Sequence, residues 1–336
     1  RVRARVEAST ASGGGSLWAE KRVILSTRNR NPKDFRRFEA NSRPPETTPM
    51  TAAFGSVSMR AEFNGHSKGS DVMAIGRLGV VGAGMMGSEI ALIFALAGKQ
   101  VLLNDTTEEG LARAMGKLEG VLDSGIGRGF WADEDKPRAL ANITTTTNLA
   151  DFADRDMVIE AVFEDVTVKG EVFKKLDGIL PADCVIASNT SSISITVLSA
   201  SLSDARQPYF LGLHFFSPVH RMKLVEVISA MDSGAEAVAI ATEACTDAGK
   251  VPIQVKDVVG FAVNRILFAM WNEALRLVEE GACSPEDVDI GCKLGLGHPV
   301  GPFELMDLTS NTLNLQVAEI LTDAYGDRFH PRPMLK

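Results

Sequence analysis

Residues 77–105 constrain the fold more tightly than any other stretch of the chain. The apolar run RLGVV leads into the turn GAGMMG, which is followed by the helical pattern SEIALIFALAG and a second apolar run, QVLLN. Strand, glycine turn, helix and strand in this order form the βαβ unit that opens a doubly wound sheet. The sequence therefore predicts an α/β fold that begins with a Rossmann-type sheet.

The glycine turn predicts a binding site for the pyrophosphate of a dinucleotide. Gly82 permits the tight turn, Gly84 lets the backbone approach the phosphates, and Gly87 lets the helix pack close to the strand. Met85 and Met86 lie between these glycines, where the helix begins. The amide donors and the positive dipole of a helix N-terminus attract phosphate.

Asp105 ends the second strand of this unit, 18 positions after Gly87. A carboxylate at this position accepts hydrogen bonds from both ribose hydroxyls and repels a 2′-phosphate, which favours NAD over NADP. The alternative is an ordinary tight turn at the glycines, with Asp105 capping the next helix. The full strand–turn–helix–strand context favours NAD.

Strand and helix patterns continue to alternate as far as Asp257. The further strand patterns are ITTTTNL, DMVIEAVFED, CVIASNTSS, YFLGLHFF, KLVEVI and KVPIQV. This alternation predicts a parallel, doubly wound sheet over residues 74–257. Residues 258–336 contain only helical patterns, namely GFAVNRILFAMWNEALRLVEEG, SPEDVDIGCKLGLG and GPFELMDLTSNTLNLQVAEILTDAYG. We predict a separate all-helical domain there.

The composition excludes several functional classes. The net charge of −8 argues against nucleic acid as a partner, and no apolar run approaches the about 18 residues of a membrane span. The four cysteines have no CxxC spacing, and no two histidines have metal-ligand spacing, so we expect no metal site and no disulfide framework. Such cysteine usage favours a reducing, cytoplasmic setting.

Residues 1–73 differ in composition from the rest of the chain. They carry 13 Lys and Arg against 7 Asp and Glu, and they show no sustained period and no apolar signal region. We predict a disordered or non-native leader, with the folded protein starting near Met73. The alternatives are an organellar transit peptide, which five acidic residues in the first 50 argue against, and a basic nucleic-acid arm.

Polar residues follow the other predicted strands at their carboxyl ends. They are Glu164, the run Ser188-Asn189-Thr190-Ser191, and His214. Each has an ordinary alternative, because Glu164 and the Ser/Thr run can cap helices and His214 can be a hydrogen-bonded core histidine. Ligands of doubly wound sheets bind outside the carboxyl ends of the strands. The shared sheet edge therefore favours one common site.

Six motifs together resemble the L-3-hydroxyacyl-CoA dehydrogenase family, which includes the 3-hydroxybutyryl-CoA dehydrogenases. They are GVVGAGMMGSEIA, VIEAVFEDVTVKGEVFKKLD, ASNTSSISIT, LHFFSPVHRMKLVEVI, KDVVGFAVNRIL and KLGLGHPVGPFELMDL, in the family's order over residues 75–336. The resemblance implies hydride transfer between C3 of an L-3-hydroxyacyl-CoA and NAD, as in fatty-acid β-oxidation. It also implies a homodimer formed through the helical domain at 258–336, which contributes to substrate binding.

The resemblance assigns chemical roles to four residues. His214 is the general base that takes the hydroxyl proton, and Glu226 is its carboxylate partner. Ser191 and Asn264 hold the substrate oxygen and the thioester carbonyl. These roles agree with the chemistry, since imidazole titrates near neutral pH and a carboxylate on its far nitrogen fixes the tautomer. We expect His220, in the same stretch, to be structural or on the surface.

The resemblance places Glu164 and Lys169, together with Ser191 and Ser217, along the cofactor and substrate cleft. Many family members have Asn where this chain has Ser217. With Ser at this position, the stretch FFSPVHRM resembles the dehydrogenase part of multifunctional fatty-acid oxidation proteins. We expect Ser217 to contact the cofactor by one hydrogen bond or through water. Family members also continue beyond the position of Lys336 with a helix and a tail that adds a cofactor-contacting lysine, so we expect a C-terminal truncation.

Two other functions are consistent with the same motifs. The chain can be a dehydrogenase for a free hydroxy acid, or a non-catalytic relative that has kept the fold. The presence of His214, Glu226, Ser191 and Asn264 favours catalysis over the non-catalytic alternative. Only an acyl-CoA dehydrogenase needs a binding site for CoA.

Overall fold

Eight strands form one sheet in the part of the chain from residue 74 onward. The computed structural model describes residues 3–6, 23–26 and 74–335. The first two segments are strands β1 (Arg3–Val6) and β2 (Val23–Ser26), which pair antiparallel with each other. The rest of residues 1–73 lies outside the described residues, so the leader stays a prediction.

The eight strands of the main sheet are ordered β10-β9-β8-β7-β6-β3-β4-β5. They are β3 (Arg77–Val81), β4 (Gln100–Asn104), β5 (Ile143–Thr146), β6 (Met157–Glu160), β7 (Val185–Ser188), β8 (Phe210–Phe215), β9 (Leu224–Ser229) and β10 (Val251–Lys256). The six strands from β3 to β8 are parallel, with β3 between β4 and β6. This is the predicted Rossmann-type, doubly wound arrangement.

The prediction of a parallel sheet is wrong for its last two strands. β9 pairs antiparallel with β8, and β10 runs parallel to β9, so both are reversed relative to the other six. The physical reason is the length of the connection between β8 and β9, which has only eight residues (216–223). A parallel crossover needs a dozen residues or more.

Ten α-helices occur in the described residues. They are α1 (Met85–Leu96), α2 (Glu108–Gly127), α3 (Asp135–Ala141), α4 (Val166–Asp177), α5 (Ile195–Ser199), α6 (Ala235–Asp247), α7 (Val263–Glu279), α8 (Pro285–Gly295), α9 (Pro302–Asp307) and α10 (Asn311–Tyr325). The last two correct the prediction of one long helix, because Ser310 caps α10 by accepting a hydrogen bond from the Leu313 amide. None of these helices is long and apolar enough to cross a membrane.

Neighbouring apolar residues of a strand point to opposite faces of the sheet, and each face packs against its own set of helices. Val80 belongs to the core that includes α1, α2 and α6, whereas Val81 belongs to the core that includes α4 and α5. Phe261 joins the second of these cores from the segment before α7. Both cores leave the carboxyl ends of the parallel strands free to form a site.

The region after β10 is helical, as predicted. Phe268, Trp271 and Leu275 of α7 pack with Leu321 of α10 and with Phe329 in a third apolar cluster. Residues 74–335 lie within one compact unit. The boundary between a Rossmann domain (74–257) and a helical domain (258–336) therefore stays a prediction.

Candidate active site

The strand register brings the polar strand ends to one edge of the sheet. Val81 lies beside both Asn104 and Glu160, and Glu160 lies beside Ser188. Ser188 in turn lies beside Gly212, two residues before His214. The loops that carry the predicted site residues therefore start from neighbouring positions.

His214 and Glu226 form a hydrogen-bonded pair. They are directly opposite each other in the antiparallel register of β8 and β9, and His214 Nδ1 lies 2.7 Å from Glu226 Oε2. Both side chains are buried. Because an ionised carboxylate can only accept, Nδ1 carries the proton in this pair and the neutral ring keeps the lone pair of Nε2 available. The geometry suits a general base.

Glu226 also holds the start of α7. Its Oε1 accepts hydrogen bonds from the backbone amides of Ala262 and Val263 at 2.9 and 3.0 Å. Burial alone would raise the pKa of Glu226, but the hydrogen bond from His214 and the two amides outweigh burial and lower it. The carboxylate is therefore kept ionised opposite His214.

The backbone before α7 is strained where it delivers these two amides. Phe261 is buried and has a φ of 46°, a left-handed conformation that a side chain with a Cβ rarely adopts. Such a conformation costs about 1–2 kcal/mol. Gly260, with a φ of 72°, adopts the same region without that cost. The buried contacts of Phe261 and the hydrogen bonds to Glu226 hold this conformation in place.

Ser191 lies at the other nitrogen of the imidazole. Its Oγ is 3.0 Å from His214 Nε2. Glu164 positions the Ser191 loop, since one carboxylate oxygen of Glu164 accepts from the amides of Ser191 and Ser192 at 2.9 Å and from the Thr190 hydroxyl at 2.6 Å. An oxygen atom of a substrate near Ser191 would be within reach of both the hydroxyl and the imidazole.

The buried ion pair of Lys169 and Glu160 contacts the carboxylate of Glu164. Lys169 is 1% exposed, and its Nζ lies 2.7 Å from Glu160 Oε1 and 3.4 Å from Glu164 Oε2. Glu160 is fully buried and also accepts from the Ser188 hydroxyl at 2.6 Å. Lys169 was predicted to line the cleft, and the structure places its ammonium between the carboxylates of Glu160 and Glu164. It would act on a ligand through Glu164.

The pKa of Glu164 is lowered. Partial burial would raise it, but the Lys169 ammonium and the hydrogen bonds from Thr190, Ser192 and the Ser191 amide outweigh that effect. Glu164 therefore stays ionised and keeps its hold on the loop. Glu160 was assigned no role from the sequence, because it ends the apolar strand MVIE.

The three glycines of the turn have the geometry that their predicted roles require. Gly82 has a φ of 101°, and a Cβ on it would lie 2.6 Å from the Ala161 carbonyl oxygen. A Cβ on Gly87 would lie 1.8 Å from the Gly82 carbonyl oxygen, so helix and turn are in the closest possible contact. A Cβ on Gly84 would meet no atom within 4 Å. Gly84 thus faces open space in which a phosphate group can approach the backbone.

A cavity of about 950 Å³ adjoins the glycine turn. It is lined by residues 82–86, by Asp105 and by Phe163 among others. The Asp105 carboxylate lies at its edge and accepts from the Ala83 amide at 2.8 Å and from the Thr106 amide at 2.7 Å. The volume is in the upper part of the range for ligand sites, and the open side of Gly84 together with Asp105 fits a dinucleotide.

The side chains of two predicted site residues make no hydrogen bond within residues 74–335. Asn264 lies in the first turn of α7, next to Val263, and is partly buried. Ser217 is exposed in the turn that follows β8, three residues after His214. Ser217 is close along the chain to His214, and Asn264 directly follows Val263, whose amide donates to Glu226, so both side chains are available to a ligand near the pair.

The turn between β8 and β9 is held by two charged side chains that were assigned no role from the sequence. The Lys250 ammonium is buried and donates to the carbonyls of Val219 and Met222 at 2.5 and 2.9 Å, and burial lowers the pKa of Lys250. Glu89 of α1 accepts from the amide and from Nδ1 of His220, at 3.2 and 2.9 Å. This contact agrees with the predicted structural role of His220.

The four cysteines are free thiols. Cys184 and Cys245 are buried free thiols, and burial raises the pKa of each to about 12. Cys283 and Cys292 are partly buried free thiols. In the described part of the chain, no group of three His, Cys, Asp or Glu side chains could hold a metal ion.

Comparison with known proteins agrees with this geometry. A model described as the NAD-binding domain of 3-hydroxyacyl-CoA dehydrogenase matches residues 77–258, and a model of the C-terminal domain of the same enzymes matches residues 260–336. A probable 3-hydroxybutyryl-CoA dehydrogenase from Deinococcus radiodurans is 40% identical over 261 residues, which are 77% of this chain and 93% of the relative.

The chain is also similar to an animal protein and to a protein of known crystal structure. The mitochondrial hydroxyacyl-coenzyme A dehydrogenase of Rattus norvegicus is 37% identical over 263 residues, 76% of this chain and 82% of the relative. The crystal structure of (S)-3-hydroxybutyryl-CoA dehydrogenase from Ralstonia eutropha superposes with a TM-score of 0.74 at 39% identity, covering 78% of this chain and 92% of that one. With both domain models matched in order, the chain belongs to the 3-hydroxyacyl-CoA dehydrogenase family.

Proposed function

We propose that the chain transfers a hydride between C3 of an L-3-hydroxyacyl-CoA and NAD. The observation that carries this proposal is the buried His214–Glu226 pair, whose free Nε2 faces Ser191 at the sheet edge that also carries the dinucleotide turn. The printed names of the relatives supply the substrate class. NAD, when bound, supplies the acceptor or donor of the hydride.

In this proposal His214 is the general base. Its Nε2 takes the proton of the C3 hydroxyl as the hydride leaves, and in the reverse direction it returns the proton. Glu226 stabilises the imidazolium that forms, and the two α7 amides keep the carboxylate from taking the proton itself. Positioned acid–base help of this kind contributes about 10²–10⁴ in rate.

Ser191 and Asn264 are proposed to hold the substrate. The Ser191 hydroxyl can donate to the C3 oxygen while that oxygen exchanges its proton with His214, 3.0 Å away. Asn264 follows the residues that bind Glu226, so its amide can reach a substrate beside His214. Glu164 would contribute by fixing the Ser191 backbone, since it accepts from that amide.

A second cavity favours an acyl-CoA over a free hydroxy acid. It has a volume of about 360 Å³, shares Met85 and Lys117 with the dinucleotide cavity, and is also lined by Arg128 and His220. The two cations, Lys117 and Arg128, suit the phosphates of CoA, and the carboxylate of Glu89 also lines the cavity. A free hydroxy acid carries no such groups.

We also propose that the protein is a cytoplasmic homodimer that acts in fatty-acid or butanoate metabolism. The free cysteines suit a reducing compartment, and the bacterial relative supports the cytoplasm. The rat relative is described as mitochondrial, so an organelle is the alternative. Fractionation of cells that express the natural gene would separate the two, and a mitochondrial signal would contradict the cytoplasmic assignment.

Replacing His214 by Gln tests the proposed base. We expect the rate of acetoacetyl-CoA-dependent NADH oxidation to fall by about 10²–10⁴, because Gln cannot exchange the proton. The affinity for NADH should change less than about twofold, since His214 lies outside the dinucleotide cavity. The matched control is His330→Gln, an exposed histidine near the end of the chain.

Three outcomes would contradict the proposed function. An unchanged rate in His214→Gln would remove His214 as the base. Wild-type protein that binds NADH without oxidising it in the presence of acetoacetyl-CoA would favour the non-catalytic relative. Faster turnover of free 3-hydroxybutyrate than of its CoA thioester would favour the free hydroxy acid.

Replacing Glu226 by Gln tests the charge of the buried carboxylate. We expect the free energy of unfolding near neutral pH to fall by about 1–3 kcal/mol, because a charged acceptor of three hydrogen bonds becomes neutral. The folded pKa of Glu226 is lowered, so its contribution is complete above the ordinary value of 4.5 and is lost as the pH falls below it. The difference from wild type should therefore shrink in acid.

Chemical denaturation at a series of pH values measures this difference. Glu243→Gln is the control, since Glu243 is exposed on α6 and should not alter stability or its pH dependence. A destabilisation of Glu226→Gln that stays constant from about pH 7 to about pH 3 would show that the carboxylate charge is not involved.

The exposed apolar residues of the helical region predict the homodimer. Among residues 285–313 the large exposed apolar side chains are Ile290, Leu294, Leu296, Leu308 and Leu313. Exposed apolar surface in such amount is typical of an interaction surface, and a second copy of the chain would cover it. Sedimentation at micromolar concentration should give a dimer, and the pair Leu294→Lys and Leu308→Lys should shift it to a monomer. A monomeric wild-type mass would refute the proposal.

A further inference from the structure

Glu89 is a mostly buried carboxylate on the helix that begins at the glycine turn. It lies in α1, one helical turn after Met85, and most of the residues that follow it in this helix are buried. Its side chain is 12% exposed, and within residues 74–335 it accepts hydrogen bonds only from the backbone amide and Nδ1 of His220, at 3.2 and 2.9 Å. Because an ionised carboxylate only accepts, Nδ1 of His220 carries the proton.

The turn to which His220 belongs adjoins the catalytic pair. It spans residues 216–223, between β8 and β9. Its first residue, Phe216, packs on the imidazole of His214, with the ring centroids 4.6 Å apart. A shift of this turn would therefore change the surroundings of His214.

Two side chains hold this turn by hydrogen bonds within residues 74–335. Lys250, just before β10, donates to two carbonyls of the turn, and Glu89 accepts from His220. Of the two, only Glu89 belongs to the helix that follows the glycine turn. Glu89 and His220 thus connect the dinucleotide turn with the segment next to the base.

This pair is better suited to fixing a distance than to adding stability. The side chains of Glu89 and His220 are 12% and 17% exposed, so both give up most of their hydration. A buried ion pair often contributes no more to the free energy of folding than apolar side chains of the same volume. Its hydrogen bonds are directional, however, and they set the separation between α1 and the turn.

We propose that Glu89 and His220 position the dinucleotide helix relative to His214 for hydride transfer. The nicotinamide must reach C3 of the substrate while His214 reaches the oxygen on the same carbon, and a displacement of about 1 Å can cost about 10² in rate. Both are positioning residues, because neither exchanges a proton or a hydride with the substrate. The inference deepens the proposed function and rests on its use of NAD and of His214.

The test replaces the pair by apolar residues, in the double variant Glu89→Met with His220→Leu. We expect kcat for the reduction of acetoacetyl-CoA to fall about tenfold, because the nicotinamide and His214 are no longer held in register. The KM for acetoacetyl-CoA and the dissociation constant for NADH should stay within about threefold of wild type. The melting temperature should stay within about 3 °C, since both members of the buried pair are removed together.

Two further measurements separate positioning from a structural role. With NADH deuterated at the transferred hydrogen, the isotope effect on kcat should rise in the double variant, because hydride transfer becomes slower than product release. Glu89→Gln keeps an oxygen that accepts from His220, and it should restore kcat to within about threefold of wild type. The matched control is Lys99→Met with Asp247→Leu, which removes a 2.9 Å ion pair between the segment after α1 and the end of α6. It should leave kcat unchanged.

Three results would overturn the inference. The first is a kcat of the double variant within about twofold of wild type. The second is a change confined to the KM for acetoacetyl-CoA, which would place the pair on the substrate. The third is a lower kcat with an unchanged isotope effect and a lower melting temperature, which would show that Glu89 and His220 only stabilise the fold.

The inference and the proposed function fail separately, because amide hydrogen exchange needs no turnover. NADH should slow exchange in residues 216–223 of the wild type by about threefold or more, and this protection should be absent from the double variant. If that difference is seen while the wild type reduces no 3-ketoacyl-CoA, the link between α1 and the turn stands and the proposed function is wrong. If the wild type reduces acetoacetyl-CoA and the double variant keeps both its kcat and the protection, only the role of the pair is wrong.

Discussion

The buried carboxylate of Glu226 is the interaction on which the rest of the site depends. It accepts from His214 with one oxygen and from the amides of Ala262 and Val263 with the other. A buried charge that loses its partner costs about 3–5 kcal/mol, so the sheet strand, the histidine and the start of α7 are stable only together. The same carboxylate therefore both orients the base and attaches the start of α7 to the sheet.

The reversal of β9 is what makes this pairing possible. Glu226 is the third residue of β9, and the antiparallel register sets it opposite His214, the fifth residue of β8. In a parallel strand the third residue would lie toward the amino edge of the sheet, away from the ligand side. The short connection of residues 216–223 forces the reversal, and Lys250 and Glu89 hold that connection.

Local patterns were sufficient to predict the βαβ unit, the order of the strands along the chain, and Asp105 and His214 at strand ends. They could not predict the direction of β9, because an apolar run has the same period in either direction. They also could not predict the Glu160–Lys169 pair, because Glu160 lies in an apolar run and its partner is nine residues away. The break between α9 and α10 was missed although Ser310 is a good cap, since the apolar spacing continues across it.

The polar groups of the site divide according to whether the protein already satisfies them. Glu160, Lys169, Glu164 and Glu226 each have fixed partners, and a change in any of them would leave a charge without its counterpart. They hold Ser191 against His214 from two sides. In contrast, the side chains of Asn264 and Ser217 have no hydrogen-bond partner within residues 74–335, and the ring of Phe163 is in water. A bound ligand would change the free energy of the side chains without partners most. Substrate and cofactor selectivity would therefore be set at these side chains. The side chains with fixed partners preserve the geometry in which the proton moves.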